Sequence, residues 1–297
     1  MTPKGKLLII GGAEDKGPIR IRPQIKLKNK NFIDYEILNY LIPPEGSKFN
    51  RIEIITTASQ QPFKTGNMYI RSFKKAGFNN VNHMNIENKE DLKNPDLIPR
   101  IENADTVFFS GGDQFRLSTI IGGSALMQVI MKRYMKDEGF MLAGTSAGAM
   151  AMGRLMIYHA ENNEAMLKGH VKITYGLEVL DSCIVDTHFV KRGRFGRLAQ
   201  AVAMNPLSLG IGIGEDTGLL ITKGNEATCV GSGMVIIIDG TRIKYNSINV
   251  IEDNFPLGLE GLKVHMLARG NGFFLHEKKF VPNAEAFATR FLINSSH

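Results

Sequence analysis

The 297-residue sequence contains no tryptophan and only two cysteines, Cys183 and Cys229. Each cysteine stands among apolar or β-branched residues, so we expect two buried thiols and neither a disulfide framework nor redox chemistry. No apolar run reaches the roughly 18 residues that a membrane-spanning helix needs. The apolar stretch at residues 7–10 is too short for a secretory signal. These absences predict a cytoplasmic protein that does not contact a membrane.

Acidic residues are fewer than basic ones, 29 against 36, which gives a formal net charge of +7. The excess suits an acidic partner, but the basic residues are spread along the chain and form no nucleic-acid-binding motif. We therefore expect no nucleic-acid partner. The hydrophobic content of 43% is enough to bury a substantial core, and the chain has no linker or internal repeat. We predict a single α/β domain over residues 1–297.

Short apolar strands alternate with helical patterns through the first half of the chain, which predicts an α/β fold with a doubly wound, mostly parallel sheet. After Gly218 the apolar runs become short and are separated by turns, as in an antiparallel extension of the sheet. Gly11-Gly12 follows the first strand, at residues 6–10, but lacks the third glycine and the immediate helix of a dinucleotide-binding fingerprint. We therefore do not expect a nucleotide cofactor.

A short apolar run at residues 140–143 enters Gly144-Thr145-Ser146-Ala147-Gly148. This pattern is typical of a nucleophile elbow, in which a strand turns sharply into a helix and exposes one hydroxyl at the apex. Ser146 is the predicted nucleophile, and the amide of Ala147 would face a developing oxyanion. A plain strand-to-helix joint with a serine N-cap fits the same five residues.

Another strand, at residues 105–109, ends in Ser110-Gly111-Gly112-Asp113-Gln114. Glycines at the carboxyl end of a parallel strand leave backbone amides exposed where open α/β sheets bind ligands. We expect Gly112 to donate the second oxyanion hydrogen bond and Gln114 to line the same crevice. A polar helix start explains Gln114 equally well.

Chemistry-bearing residues also follow two later strands. His188 lies just beyond the strand at residues 182–185, a position from which a general base can reach a serine on a neighbouring strand. Asp186 and three arginines surround it, and guanidinium groups bind carboxylates or phosphates bidentately. A solvated helix start is the alternative for this segment. Glu215 directly follows the predicted strand at residues 209–214. The three arginines are Arg192, Arg194 and Arg197.

Taken together, these segments resemble the cyanophycinases, in the serine peptidase family that also contains the α-aspartyl dipeptidases. The likeness extends from residue 6 to about residue 250. It rests on LIIGGAED (8–15), SGGDQ (110–114), GTSAGA (144–149), DTHF (186–189) and GIGEDT (212–217). The resemblance implies a flavodoxin-like fold, related to class I glutamine amidotransferases but with serine at the elbow. It also implies hydrolysis of cyanophycin, a poly-aspartate with arginine on each side chain, to β-Asp-Arg dipeptides.

By this likeness Ser146 is the nucleophile and His188 its base, while Glu164 and Glu215 compete as the acid that orients the histidine. Both chain orders occur on α/β scaffolds, so order does not choose between them. The positions that match the family's substrate-binding residues are Gln114, Asp186, Thr187, Arg192, Arg194 and Arg197.

The family often has glutamine where this chain has Thr187, which leaves subsite detail open. The implied chemistry needs no metal and no organic cofactor. The sequence leaves the oligomeric state open, a homodimer included. An aspartyl dipeptidase, a general α/β esterase and a non-catalytic binding protein remain as alternatives.

Overall fold

A computed structural model of the protein describes residues 2–17, 29–41, 50–160 and 167–284. The helices are α1 Glu36–Asn39, α2 Pro62–Lys75, α3 Leu97–Glu102, α4 Gln114–Ile121, α5 Ala125–Lys136, α6 Ala147–Met150 and α7 Phe195–Met204. The strands are β1 Lys6–Ile10, β2 Ile52–Ile55, β3 Val81–Met84, β4 Thr106–Phe109, β5 Met141–Thr145, β6 Gly153–Ala160, β7 Val171–Tyr175, β8 Leu180–Asp186, β9 Leu209–Ile213, β10 Thr217–Thr222, β11 Glu226–Gly231, β12 Val235–Asp239, β13 Tyr245–Asn246, β14 Leu259–Glu260, β15 Lys263–Leu267, β16 Gly272–Phe274 and β17 Lys279–Val281. None of these helices is both long and apolar enough to cross a membrane.

A nine-stranded sheet forms the centre of the fold, in the order β17-β16-β11-β10-β1-β5-β4-β2-β3. Strands β1, β5, β4, β2 and β3 pair in parallel, whereas β10, β11, β16 and β17 continue the sheet antiparallel. The predicted α/β class, with parallel strands and an antiparallel C-terminal extension, is confirmed. Because the parallel strands all end at one edge, the loops after β1, β4 and β5 meet there.

A second sheet of six strands has the order β15-β12-β9-β8-β6-β7 and differs from the expected single sheet. Residues 214–216 separate β9 from β10, and the chain changes sheets across them. A run of apolar residues signals a buried strand but not its partner, so the sequence pattern did not separate the two sheets. Strands β6 and β7 were missed because polar, exposed residues such as Arg154 and His159 interrupt their apolar pattern.

The core lies between and around these sheets. One buried cluster contains side chains of both sheets, for example Leu142 of β5 and Ile211 of β9. Each fully buried aliphatic side chain of this kind contributes about 1.5–3 kcal/mol through burial. Met127 and Ile130 of α5 belong to the same cluster, and Ser124 caps that helix by accepting from the amide of Met127. Both cysteines are free and buried, which confirms their prediction as core thiols; those residues are Cys183 and Cys229.

Candidate active site

Ser146 lies at a sharp turn between β5 and α6, with φ 51° and ψ −117°. A non-glycine residue with positive φ is strained, and strain of this kind persists where the surrounding structure enforces it. The close packing of the turn requires small neighbours, since a Cβ on Gly144 would lie 2.5 Å from the carbonyl oxygen of Gly148. The Ser146 side chain makes no capping hydrogen bond to α6. It is therefore oriented differently from the simple N-cap that the sequence also allowed.

The hydroxyl of Ser146 begins a chain of hydrogen bonds. Its Oγ is 3.0 Å from His188 Nε2, and His188 Nδ1 is 2.8 Å from Glu215 Oε1. The second carboxylate oxygen of Glu215 accepts from Lys191 Nζ at 2.9 Å. Lys191 was not singled out from the sequence, although it stands only three residues after His188. Glu164, the other predicted acid, lies outside the described residues.

The surroundings of His188 and Glu215 set the charge states of these two side chains. Burial lowers the pKa of His188 below its ordinary value, although the hydrogen bond to Glu215 opposes that effect. For Glu215, burial acts to raise the pKa, but Lys191 and His188 outweigh it and the pKa is lowered. At neutral pH the arrangement therefore contains a neutral imidazole next to an ionised carboxylate. An imidazole in that state can accept a proton from a hydroxyl at Nε2.

The end of β1 fixes the backbone at Ser146, at His188 and next to Glu215. The carbonyl oxygen of Ile10 accepts from the amide of Ser146 at 2.9 Å, and that of Gly11 accepts from His188 at 2.8 Å. The carbonyl oxygen of Gly12 accepts from Asp216, the neighbour of Glu215, at 3.0 Å. Gly12 has φ 90°, and a Cβ there would lie 2.5 Å from His188 Nε2. The glycine pair therefore makes room for the imidazole, a role that sequence reasoning missed.

Two backbone amides suit the predicted oxyanion site. Among the described residues, the amides of Ala147 and Gly112 have no hydrogen-bond acceptor in the protein. Gly112 has φ 147°, and a Cβ there would lie 1.9 Å from the carbonyl oxygen of Ala58. Its neighbour Gly111 lies against the serine, since a Cβ on it would be 3.1 Å from Ser146 Cβ. Gln114 begins α4 and donates to the carbonyl of Ile157 at 2.9 Å.

Residues 186–197, which we call the arginine segment, include both buried and exposed side chains. Arg197 is 6% exposed and binds both carboxylate oxygens of Asp186, which is fully buried. The expectation that Asp186 and Arg197 contact substrate does not fit this geometry, because each is enclosed and neutralised by the other. Thr187 is also fully buried. Arg192 is exposed.

Arg194 lies between these extremes, with a side chain 11% exposed. It donates to the carbonyl oxygen of Thr187 at 2.7 Å and lies 3.3 Å from Asp186 Oδ1. Burial, together with the charges of Arg197 and Arg192, lowers the pKa of Arg194 to about 10, although Asp186 opposes this effect, so Arg194 remains a cation at neutral pH. Its Nε has no hydrogen-bond partner among the described residues. Arg194 therefore keeps one buried donor unused.

A serine on a strained strand-to-helix turn, hydrogen-bonded to a histidine on an α/β sheet, defines the class of α/β serine hydrolases. The sequence profile of Peptidase family S51 matches residues 35–229, more than half of the chain. The chain belongs to this family and is a serine peptidase.

Similar proteins of known name extend the match beyond the profile. A cyanophycinase of Trichormus variabilis is 34% identical over 279 residues, covering 94% of this chain and 88% of that protein. One of Synechococcus elongatus is 31% identical over 272 residues, covering 92% and 80%. The crystal structure of a peptidase from an acI-B1 Actinobacterium superposes with a TM-score of 0.63 at 20% identity. It covers 92% of this chain and 98% of its own, and this likeness shows the fold.

Proposed function

We propose that the protein is an exopeptidase that hydrolyses cyanophycin and releases β-Asp-Arg dipeptides. The observation that carries the proposal is the hydrogen-bonded chain from Ser146 through His188 to Glu215. The names of the relatives, which are cyanophycinases over nearly the full length of this chain, support the choice of substrate.

In the proposed reaction His188 takes the proton of Ser146 as Oγ attacks an aspartyl main-chain carbonyl, and an acyl-enzyme forms. The amides of Ala147 and Gly112 stabilise the oxyanion. His188 then protonates the leaving amine, and water hydrolyses the acyl-enzyme with His188 again as base. Glu215, rather than Glu164, is the proposed orienting acid, because its carboxylate already accepts from the imidazole at 2.8 Å.

The substrate's charge pattern suits the open part of the arginine segment. Every arginine branch of cyanophycin carries a carboxylate, and Arg192, together with the partly open Arg194, offers guanidinium donors. Asp186 and Arg197 act one step further away, by fixing Arg194 from its buried side. The substrate therefore contacts fewer of these residues than the sequence suggested.

A second candidate is an aspartyl dipeptidase of the same family. The cavity beside Ser146 has a volume of about 240 Å³, which suits a short peptide as well as the end of a polymer. Such an enzyme would use the same serine and histidine and would gain little from Arg192. Asp-Leu and cyanophycin therefore distinguish the two candidates as substrates.

The test is incubation of the purified protein with cyanophycin, followed by mass analysis of the products. We expect β-Asp-Arg to accumulate, and Ser146→Ala to lower the rate by about a millionfold, as loss of a triad nucleophile does. Hydrolysis of Asp-Leu without release of β-Asp-Arg would instead support the dipeptidase. An undiminished rate in Ser146→Ala would contradict both candidates.

A further inference from the structure

The cavity beside Ser146 is bounded on one side by residues that the proposed reaction does not use. Glu14, Lys16 and Tyr69 line it together with Thr145, Ser146 and Gly111. No residue of the arginine segment lines this cavity. The cavity therefore lies beside the nucleophile and is lined by residues other than those of the arginine segment.

Glu14 is the buried centre of this cavity wall. Its Oε1 accepts from the hydroxyl of Tyr69 at 2.7 Å and forms an ion pair with Lys16 Nζ at 3.0 Å. Its Oε2 accepts from Thr145 Oγ1 at 2.7 Å. Burial acts to raise the pKa of Glu14, but Lys16 and the two hydroxyls outweigh it and bring the pKa to about 2. The carboxylate is ionised at neutral pH, and both of its oxygens are occupied.

Lys16 differs from Glu14 because it is only partly enclosed. Its side chain is 24% exposed, and its ammonium lies 5.0 Å from the centre of the Tyr69 ring. An ammonium has three N–H donors, and among the described residues Glu14 is the one carboxylate that forms an ion pair with it. The ion pair and the ring fix the ammonium at the cavity wall, while donors remain for a ligand. A fixed cation with unused donors is suited to an anion.

We propose that Lys16 is a specificity residue that binds a substrate carboxylate in this cavity, independently of the arginine segment. The inference rests on the proposed function, in which a substrate rich in carboxylates is cut at Ser146. The carboxylate is either the main-chain terminus of the polymer or that of an arginine branch. In the first case Lys16 recognises the chain end and accounts for release of single dipeptides.

Three synthetic substrates separate these sources: a β-Asp-Arg trimer, the same trimer with its main-chain terminus amidated, and the same trimer with its arginine carboxyls amidated. Each is assayed with wild type and with Lys16→Met. The matched control is Lys64→Met, which removes an exposed lysine from α2, the helix that also contributes Tyr69, but does not line the cavity. Lys16→Arg, which keeps the charge, serves if the methionine variant fails to fold.

We expect Lys16→Met to lower kcat/KM on the unmodified trimer by roughly ten- to a hundredfold, mainly through KM, as for loss of a hydrogen bond to a charged group. One of the two amidated trimers lacks the carboxylate that Lys16 binds. On that trimer the kcat/KM values of Lys16→Met and wild type should agree within about twofold, because Lys16 has no carboxylate to bind. The trimer that shows this agreement identifies which substrate carboxylate Lys16 recognises. Lys16→Arg should keep the same preference among the trimers, and Lys64→Met should behave as wild type.

Equal losses on all three trimers would overturn the proposal and make Lys16 a structural partner of Glu14. So would a wild type that cleaves the unmodified trimer no better than either amide. Labelling of Ser146 by a small neutral phosphonate should be unchanged in Lys16→Met, which separates this effect from damage to the nucleophile. If wild type cleaves Asp-Leu but no trimer, the substrate proposal fails, and Asp-Leu with its amide then tests Lys16 in the same way.

Discussion

Replacing Glu215 by glutamine tests the proposed triad in a way that the structure makes specific. The carboxylate has two different neighbours: the imidazole of His188 at one oxygen and the ammonium of Lys191 at the other. Glutamine offers one oxygen and one NH₂ group. Because an ammonium can only donate, the oxygen should turn toward Lys191 and the NH₂ toward His188.

This orientation has a consequence for the imidazole. The NH₂ group donates to Nδ1, so the ring proton moves to Nε2, which then donates to Ser146 and cannot take its proton. The corresponding change in the serine–histidine–aspartate template lowers kcat about ten-thousandfold because it traps the wrong tautomer. We expect Glu215→Gln to lose activity to a similar extent, without unfolding.

Lys191→Met should then restore part of the activity lost in Glu215→Gln. Without the ammonium, the amide can reverse and present its oxygen to Nδ1. A donor facing a donor costs about 1–3 kcal/mol, so relieving it should raise kcat by roughly tenfold or more over Glu215→Gln. In the wild-type background the same change should have little effect, because the carboxylate still accepts from His188 and Lys191 is 70% exposed.

The assay is kcat on cyanophycin for wild type, both single variants and the double variant, with the His188 tautomer read from nitrogen NMR shifts. We expect Lys191→Met to raise kcat in the Glu215→Gln background and to lower it only slightly in the wild-type background. A double variant no faster than Glu215→Gln would refute the reasoning from amide orientation. Full activity in Glu215→Gln would remove Glu215 from the proposed triad.

Three other changes test separate parts of the site. Burial lowers the pKa of His188, and the imidazole must be neutral to act as a base. We therefore expect kcat/KM to be constant from pH 7 to 8 and to fall only below the ordinary histidine pKa of about 6.5. Half-maximal activity at pH 7 or above would contradict this expectation. Arg197→Ala should lower the free energy of unfolding in urea titrations by up to about 3–5 kcal/mol, because it removes the bidentate partner of the buried Asp186 and leaves only Arg194 near it, at 3.3 Å. Arg192→Ala should lower only kcat/KM, by roughly tenfold or more. Equal losses of stability in the two variants would show that burial does not separate the two arginines. Gly12→Ala should abolish turnover while circular dichroism stays native, since its Cβ would overlap the imidazole; wild-type activity would show that the ring can shift without loss.

The sequence predicted those parts of the site that depend on local pattern. An apolar run followed by small residues marked Ser146, and His188 and Glu215 were found because each follows a strand. The choice between Glu164 and Glu215 depends on which strand ends meet, and two separate sheets contribute to that meeting. Local pattern carries no such information.

The arginine segment and the cavity wall show the same limit for charged residues. Arg197 binds Asp186 across the start of a helix, eleven positions along the chain, and nothing in the sequence distinguishes it from the exposed Arg192. Glu14 stood in the recognised segment at residues 8–15 and Lys16 directly follows that segment, yet their partners Tyr69 and Thr145 are distant in sequence. Charge alone therefore predicted a binding region but not which of its members remain open to a ligand.

The end of β1 explains how two sheets can hold the three residues of the proposed triad together. Ser146 comes from the nine-stranded sheet, while His188 and Glu215 follow strands of the six-stranded sheet. Ile10 and Gly11 accept from the serine and histidine amides, and Gly12 accepts from the amide that follows Glu215. Ser146, His188 and Asp216 all have φ near 50°, a conformation costing about 1–3 kcal/mol each. Three consecutive carbonyls thus offset strain at three separate turns, so the distances between the proposed catalytic groups are set by one short stretch of backbone.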